Sequence, residues 1–147
     1  MREILFRAKR EDNGEWVYGY YVRLPDVAGS VHMMHVPARN PDECNATFYI
    51  DPKTLSQFTG LTDENGTKIF EGDIIQTYDP DEGYAVVRYD DTETEFYADF
   101  VGDNVYYGLG GTFRNDDLEV IGNIYDNPEL IGGAEKVSDL PEWKEGE

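Results

Sequence analysis

The chain has 147 residues, the usual length of one domain, and a chain of this length can bury a hydrophobic core without disulfide bonds. Its 12 basic and 31 acidic side chains give a net charge of −19, which argues against wide contact with the phosphates of DNA or RNA. A single cysteine, Cys44, excludes an intrachain disulfide, and no segment approaches the roughly 18 apolar residues of a membrane helix. We therefore expect a cytoplasmic protein without membrane contact.

The N-terminal residues predict β-structure. Apolar and polar side chains alternate over residues 4–9, turn-forming residues occupy 12–14, and a segment rich in Trp, Tyr and Val follows over 15–24, which together predict a hairpin. Residues 25–30 include proline and glycine and predict a loop. The apolar residues 31–36 predict a further short strand.

An aromatic stripe lies on the second strand of the predicted hairpin. Trp16, Tyr18 and Tyr20 share one face because successive side chains of a strand point to opposite sides. Such a stripe belongs more often to a hydrophobic core than to an interface. We nevertheless take these three side chains as candidate contacts with another protein chain.

The rest of the chain predicts short strands separated by turns. Residues 37–47 predict an exposed connection, Asp51 is suited to cap a helical turn over 52–55, and residues 63–66 (DENG) are a strong turn signal. The predicted class is mostly β: an N-terminal hairpin plus a small SH3-like barrel or β-sandwich with minor helix, and α+β as the alternative. Later strands are predicted at 73–78, 84–89, 94–100, 104–107 and 118–125.

Three separated parts of the sequence resemble a known family. Residues 58–66 (FTGLTDENG) and 68–75 (KIFEGDII) resemble the hallmark of the YopX family of bacteriophage and prophage proteins. The two ends of the chain resemble the ends of that family in Arg7-Ala8-Lys9, Trp16, Gly19, residues 118–125 (LEVIGNIY) and residues 127–130 (NPEL).

The resemblance implies a domain organisation and an origin. We expect one YopX-like domain over residues 1–130, with a hairpin and loop part at 1–48 and a barrel part at 49–130. An acidic tail or short helix is expected over 131–147. The resemblance also implies a largely β fold and a bacterial host cell, and the family brings no assigned activity or catalytic residue to this chain.

The sequence offers few residues suited to catalysis or metal binding. His32, His35 and Cys44 are its only soft metal ligands, whereas a structural zinc site normally needs four ligands. No feature of the sequence assigns a histidine to Cys44 as a base. Residues 108–111 (GLGG) lack the Lys and Ser or Thr of a phosphate-binding loop and predict a loop with positive φ angles. We predict no catalytic residue, no cofactor and no metal site, and hence a protein that is not an enzyme.

The acidic charge is concentrated in the C-terminal part of the chain. Residues 1–25 carry five basic and four acidic side chains, residues 26–60 carry two and four, and residues 61–147 carry five and 23. The net charge of the chain therefore belongs almost entirely to residues after 60.

A candidate acidic ladder lies within this C-terminal part. If residues 92–96 are extended, Asp91, Glu93 and Glu95 line one face of a strand. Such a ladder is typical of a protected sheet edge, and it would also suit a protein that imitates the charge of DNA.

Together these features predict a phage or prophage accessory protein that is noncatalytic and acts by protein–protein contact. We expect a homo-oligomer that associates through the aromatic hairpin, with a host protein as a further partner. The first alternative is an acidic DNA mimic that inhibits a host nucleic-acid-binding enzyme. The second is a small barrel that binds nucleic acid directly, which the net charge of −19 disfavours.

Overall fold

The computed structural model describes residues 2–102, 106–114 and 117–132, apart from the side chains of Pro80 and Tyr106. The chain forms two compact units, the first with residues 1–57 and the second beginning at Phe58. Both units are built mainly from antiparallel strands, so the predicted mostly β class is confirmed.

The first unit is an antiparallel sheet. Its strands are β1 (Phe6–Lys9), β2 (Trp16–Asp26), β3 (Gly29–Val36), β4 (Ala46–Tyr49) and the beginning of β5 (Ser56–Thr62), in the spatial order β4-β3-β2-β1-β5. Gly14 has a φ of 72° in the predicted turn between β1 and β2. Asp51 caps the 3-10 turn Pro52–Thr54 by accepting a hydrogen bond from Lys53 N over 3.0 Å. Both local predictions are therefore confirmed.

The connection between β2 and β3 is shorter than predicted. Residues 25–30 were expected to form a loop, but β2 continues through Pro25 to Asp26 and β3 begins at Gly29. Strand β1 pairs with β2 only at Trp16–Gly19. At Pro25, one edge of β2 therefore has no neighbouring strand among the described residues. A proline, which lacks an N–H donor, is tolerated at such an edge. The two strands are therefore joined by a tight hairpin turn.

The hydrophobic core of the first unit lies on one side of its sheet. Ala8, Met34 and Ile50 are buried in this core. Val17 and Tyr21 of β2 pack against it, so the even-numbered residues of β2 point to the opposite side.

The second unit contains a five-stranded antiparallel sheet. The end strands of its order β10-β9-β8-β7-β11 do not pair with each other among the described residues, so these strands do not close into the SH3-like barrel that was one expectation. The elements of this unit after β5 are β6 (Lys68–Phe70), β7 (Asp73–Thr77), β8 (Tyr84–Asp90), β9 (Glu95–Phe100), β10 (Tyr106–Gly108), helix α1 (Leu109–Thr112), β11 (Leu118–Asn123) and the 3-10 turns Pro80–Glu82 and Pro128–Ile131.

The five-stranded sheet is covered on both faces. Ile75 and Val87 belong to a cluster on one face, whereas their neighbours Ile74 and Val86 belong to a second cluster. All four side chains are buried, which explains why β7 and β8 are apolar at consecutive positions rather than at alternate ones.

Three local predictions for the second unit need revision or fall outside the described residues. Residues 108–111 were expected to form a loop with positive φ angles, but Leu109–Thr112 form one helical turn and Gly108 has a φ of −55°. Residues 104 and 105 of the predicted strand at 104–107 lie outside the described residues, as do residues 133–147 of the predicted tail at 131–147.

Asp63 organises the predicted turn at residues 63–66. Its Oδ1 accepts hydrogen bonds from Asn65 N and Thr67 N, and its Oδ2 accepts one from Val120 N of β11, each over 2.9 Å. Asp63 is buried, and Gly66 supplies a φ of 78°. Burial acts to raise the pKa of the Asp63 carboxyl, but the backbone hydrogen bonds outweigh burial and leave the pKa below its ordinary value of 3.8.

This pKa shift predicts an acid-sensitive contribution to stability. Because the folded pKa of Asp63 is depressed, its carboxylate contributes stability that is fully present above pH 3.8 and is lost as the pH falls through the folded pKa. The free energy of unfolding of wild type should therefore exceed that of Asp63→Asn at neutral pH, and the difference should shrink in acid. Urea unfolding of both proteins over a pH series measures this difference, and a constant difference across the series would contradict the prediction.

Candidate protein-contact site

The aromatic stripe of β2 lies on the side of the sheet away from the core of the first unit. Tyr18 is 46% exposed and Tyr20 is 53% exposed, so neither is a core residue. Trp16 is partly buried, because Arg7 Cζ and Lys9 Nζ lie 4.8 and 5.4 Å from its ring centroid. The stripe therefore presents two accessible tyrosines beside a tryptophan that two cations cover.

The apolar surface continues beyond the stripe. Val22 and Leu24 follow on the same side of β2, and Leu24 is 48% exposed. Val22 lies opposite Met33 of β3, and Met33 lies opposite Tyr49 of β4, which is 62% exposed. We define the outer face as Tyr18, Tyr20, Val22, Leu24, Met33 and Tyr49, none of which carries a formal charge. Charged residues of both signs border it on the same side of the sheet: Arg7, Lys9 and Asp26.

One residue of the outer face, Leu24, lies where the sheet is only two strands wide. Strand β1 pairs with β2 at Trp16–Gly19, and β4 pairs with β3 at Met33–Val36. Residues 24–31 of β2 and β3 therefore pair with each other beyond the reach of β1 and β4. We call residues 24–31 the hairpin arm. Val27 at its tip is fully exposed.

A groove of about 840 Å³ lies between the hairpin arm and the ends of β1 and β4. Those two ends are joined by an antiparallel bridge between Arg10 and Ile50. The groove is lined by both basic and acidic side chains, and its Arg10 donates hydrogen bonds of 2.9 and 2.6 Å to the carboxylate of Asp12. This mixed lining does not select one class of ligand.

The candidate metal ligands do not converge. His32 and His35 lie on opposite faces of β3, as a strand requires, and His32 Nδ1 is hydrogen-bonded to the Tyr21 hydroxyl over 2.6 Å. Cys44 is exposed in the connection before β4. In the part of the chain that the structure describes, no three His, Cys, Asp or Glu side chains form a group able to hold a metal ion.

The predicted acidic ladder is wrong in its geometry. Asp91 and Glu93 lie in the turn between β8 and β9, and Glu95 is the first residue of β9. Asp90 Oδ1 stabilises this turn by accepting hydrogen bonds from Thr92 N over 2.8 Å and from Glu93 N over 3.3 Å. The three acidic side chains therefore do not line one face of a strand.

Sequence reasoning missed four of the six residues of the outer face. Val22 and Leu24 continue the alternation that begins at Trp16, so the strand pattern contained a signal for them. Tyr49 and Met33 join the face only through the pairing of β2, β3 and β4, which no local pattern specifies.

No helix of the described residues is long and apolar enough to cross a membrane.

Comparison with known proteins places the chain in a family. No curated protein matches the sequence. The crystal structure of protein EF1440 from Enterococcus faecalis is similar, with 23% sequence identity and a TM-score of 0.49 over 89% of this chain and 99% of that one. The family described as YopX protein matches residues 5–132, which is most of the sequence, and the chain therefore belongs to the YopX family.

Proposed function

We propose that this protein is a noncatalytic accessory protein of a bacteriophage or prophage, that it acts in the bacterial cytoplasm by protein–protein contact, and that the outer face makes this contact. The phage origin follows from what the family resemblance implies. The mode of action rests on one observation, the accessible and uncharged outer face of the first unit.

The composition of the outer face supports a contact role. Contiguous exposed apolar surface on a protein commonly marks an interaction site, and the centres of interfaces are rich in tyrosine and methionine and poor in charge. Tyr18, Tyr20 and Tyr49 each offer a large apolar ring with a hydroxyl that can remain hydrogen-bonded at an interface. The residues of the outer face therefore have the chemistry of an interface centre.

Neither of the two nucleic-acid alternatives is supported by a structural feature comparable to the outer face. The DNA-mimic hypothesis rested on a ladder of Asp91, Glu93 and Glu95, and two of these residues lie in a turn. Direct binding of nucleic acid would require a surface of cations, whereas the chain carries a net charge of −19. We therefore propose neither alternative as the function.

A double substitution in the outer face tests the proposed function. In host cells that carry the phage or prophage, formaldehyde should cross-link the tagged wild-type protein into a larger adduct. Tyr20→Ser with Leu24→Ser should abolish most of that adduct, because the two changes remove the apolar contact area while leaving the core of the first unit intact. Electrophoresis of the captured tagged protein measures the adduct.

A matched variant controls for the loss of exposed apolar side chains in general. Tyr78 and Val101 are an exposed tyrosine and an exposed aliphatic residue of the second unit, so Tyr78→Ser with Val101→Ser should leave the adduct unchanged. An adduct that survives Tyr20→Ser with Leu24→Ser would contradict a contact role for the outer face.

A further inference from the structure

We infer that the partner of the outer face is a second copy of this chain, which packs its own outer face against the first across a twofold axis. This inference rests on the proposed function because it identifies the partner of the same surface. In a twofold interface one patch meets its own copy, so the patch must be compatible with itself in charge and in shape.

The distribution of charge along the chain favours the outer face as the contact between two copies. Residues 1–60 carry seven basic and eight acidic side chains, whereas residues 61–147 carry five and 23. Two copies that met through residues 61–147 would each bring a net charge of −18 to the contact. Such like charges repel, whereas the six side chains of the outer face carry no formal charge and the charged residues beside them, Arg7, Lys9 and Asp26, include both signs.

The geometry of the outer face also suits a second sheet. Val22, Met33 and Tyr49 form one cross-strand row over three adjacent strands. Two such sheet faces pack about 10 Å apart, with their strands about 30° from parallel, when their side chains interdigitate. A second outer face therefore supplies the apolar layer that this side of the sheet lacks.

The hairpin arm gives a further reason for a covering layer. Isolated two-stranded hairpins are at best marginally stable in water, and this arm exposes Leu24 and Val27. Packing against a second copy would bury Leu24 and hold the arm in its extended pairing. We therefore expect amide protection in the arm to depend on association.

Sedimentation velocity of the purified full chain tests the inference. We expect a monomer–dimer equilibrium in the wild type. Tyr20→Ser with Leu24→Ser should raise the dissociation constant at least about tenfold, and Tyr78→Ser with Val101→Ser should leave it unchanged. Added salt should strengthen the dimer, because it screens the repulsion between two copies with a net charge of −19.

A second measurement uses the wild-type protein, so its result does not depend on whether the variant folds. Hydrogen exchange of the wild-type amides of the hairpin arm, residues 24–31 without Pro25, which has no N–H, should slow as the protein concentration rises, and exchange in β7 should not change. A monomer at every concentration and salt, or a dimer that the outer-face variant leaves intact, would overturn the inference. If the purified chain is monomeric while the cross-linked adduct in cells still requires Tyr20 and Leu24, the outer face binds a different protein, and the proposed function remains.

Discussion

Replacement of Gly19 by alanine is expected to destabilise the first unit by roughly 3 kcal/mol or more. A Cβ at this position would clash with the carbonyl oxygen of His35 and would lie 3.3 Å from Val36 Cα. Both are backbone atoms of β3, so the clash cannot be relieved by a change of side-chain rotamer. The strand β2 would have to move away from β3, and the pairing that carries the hairpin arm and the outer face would be lost.

Urea unfolding followed by circular dichroism measures this loss. The matched control is Gly110→Ala, because a Cβ on Gly110 of helix α1 meets no atom within 4 Å. Alanine is favoured over glycine in a helix, so the control should be neutral or slightly stabilising. A Gly19→Ala protein as stable as the control would show that β2 and β3 do not approach as closely as the structure has them.

Replacement of Asp63 by alanine is the second change for which we expect a large effect, a loss of about 3 kcal/mol from the stability of the second unit. The substitution removes the acceptor for the N–H groups of Asn65, Thr67 and Val120 at once. The three hydrogen bonds are partly buried. A buried donor left without an acceptor costs about 1–3 kcal/mol, and access of water here recovers part of that cost for each donor. The turn at residues 63–66 would also lose one of its two hydrogen bonds to β11, and would keep the one from Glu64 N to Leu118 O.

The control for Asp63 is an aspartate that supports a turn at the surface. Asp90 accepts two backbone hydrogen bonds in the turn before β9, and both lie in an exposed environment where water can replace the carboxylate. Asp90→Ala should therefore cost no more than about 1 kcal/mol. Unfolding by urea should rank Asp63→Ala well below Asp90→Ala, and equal stability of the two variants would contradict a buried role for Asp63.

Local sequence signals predicted two tight turns, a helical cap and most of the strands, but not every connection or every strand. The turns at Gly14 and Gly66 and the cap at Asp51 were predictable because each depends on the chemistry of a few neighbouring residues. Strand β5 was not predicted, because Ser56–Thr62 shows no strict alternation and is held by β1 and β6 on its two sides. The acidic residues near 91 were assigned to a strand because charge spacing alone does not reveal that Asp90 closes a turn.

The sequence by itself determined which residues of β2 share a face, since alternation is a property of every strand and places Trp16, Tyr18 and Tyr20 together. It also determined the mostly β class and the near-neutral charge of the first 60 residues. Only the tertiary structure decided that the aromatic side of β2 is exposed, because burial depends on which distant segments cover the sheet. Met34 and Ile50 come from separate parts of the chain and complete the core on the opposite side, and this leaves the tyrosines accessible for contact.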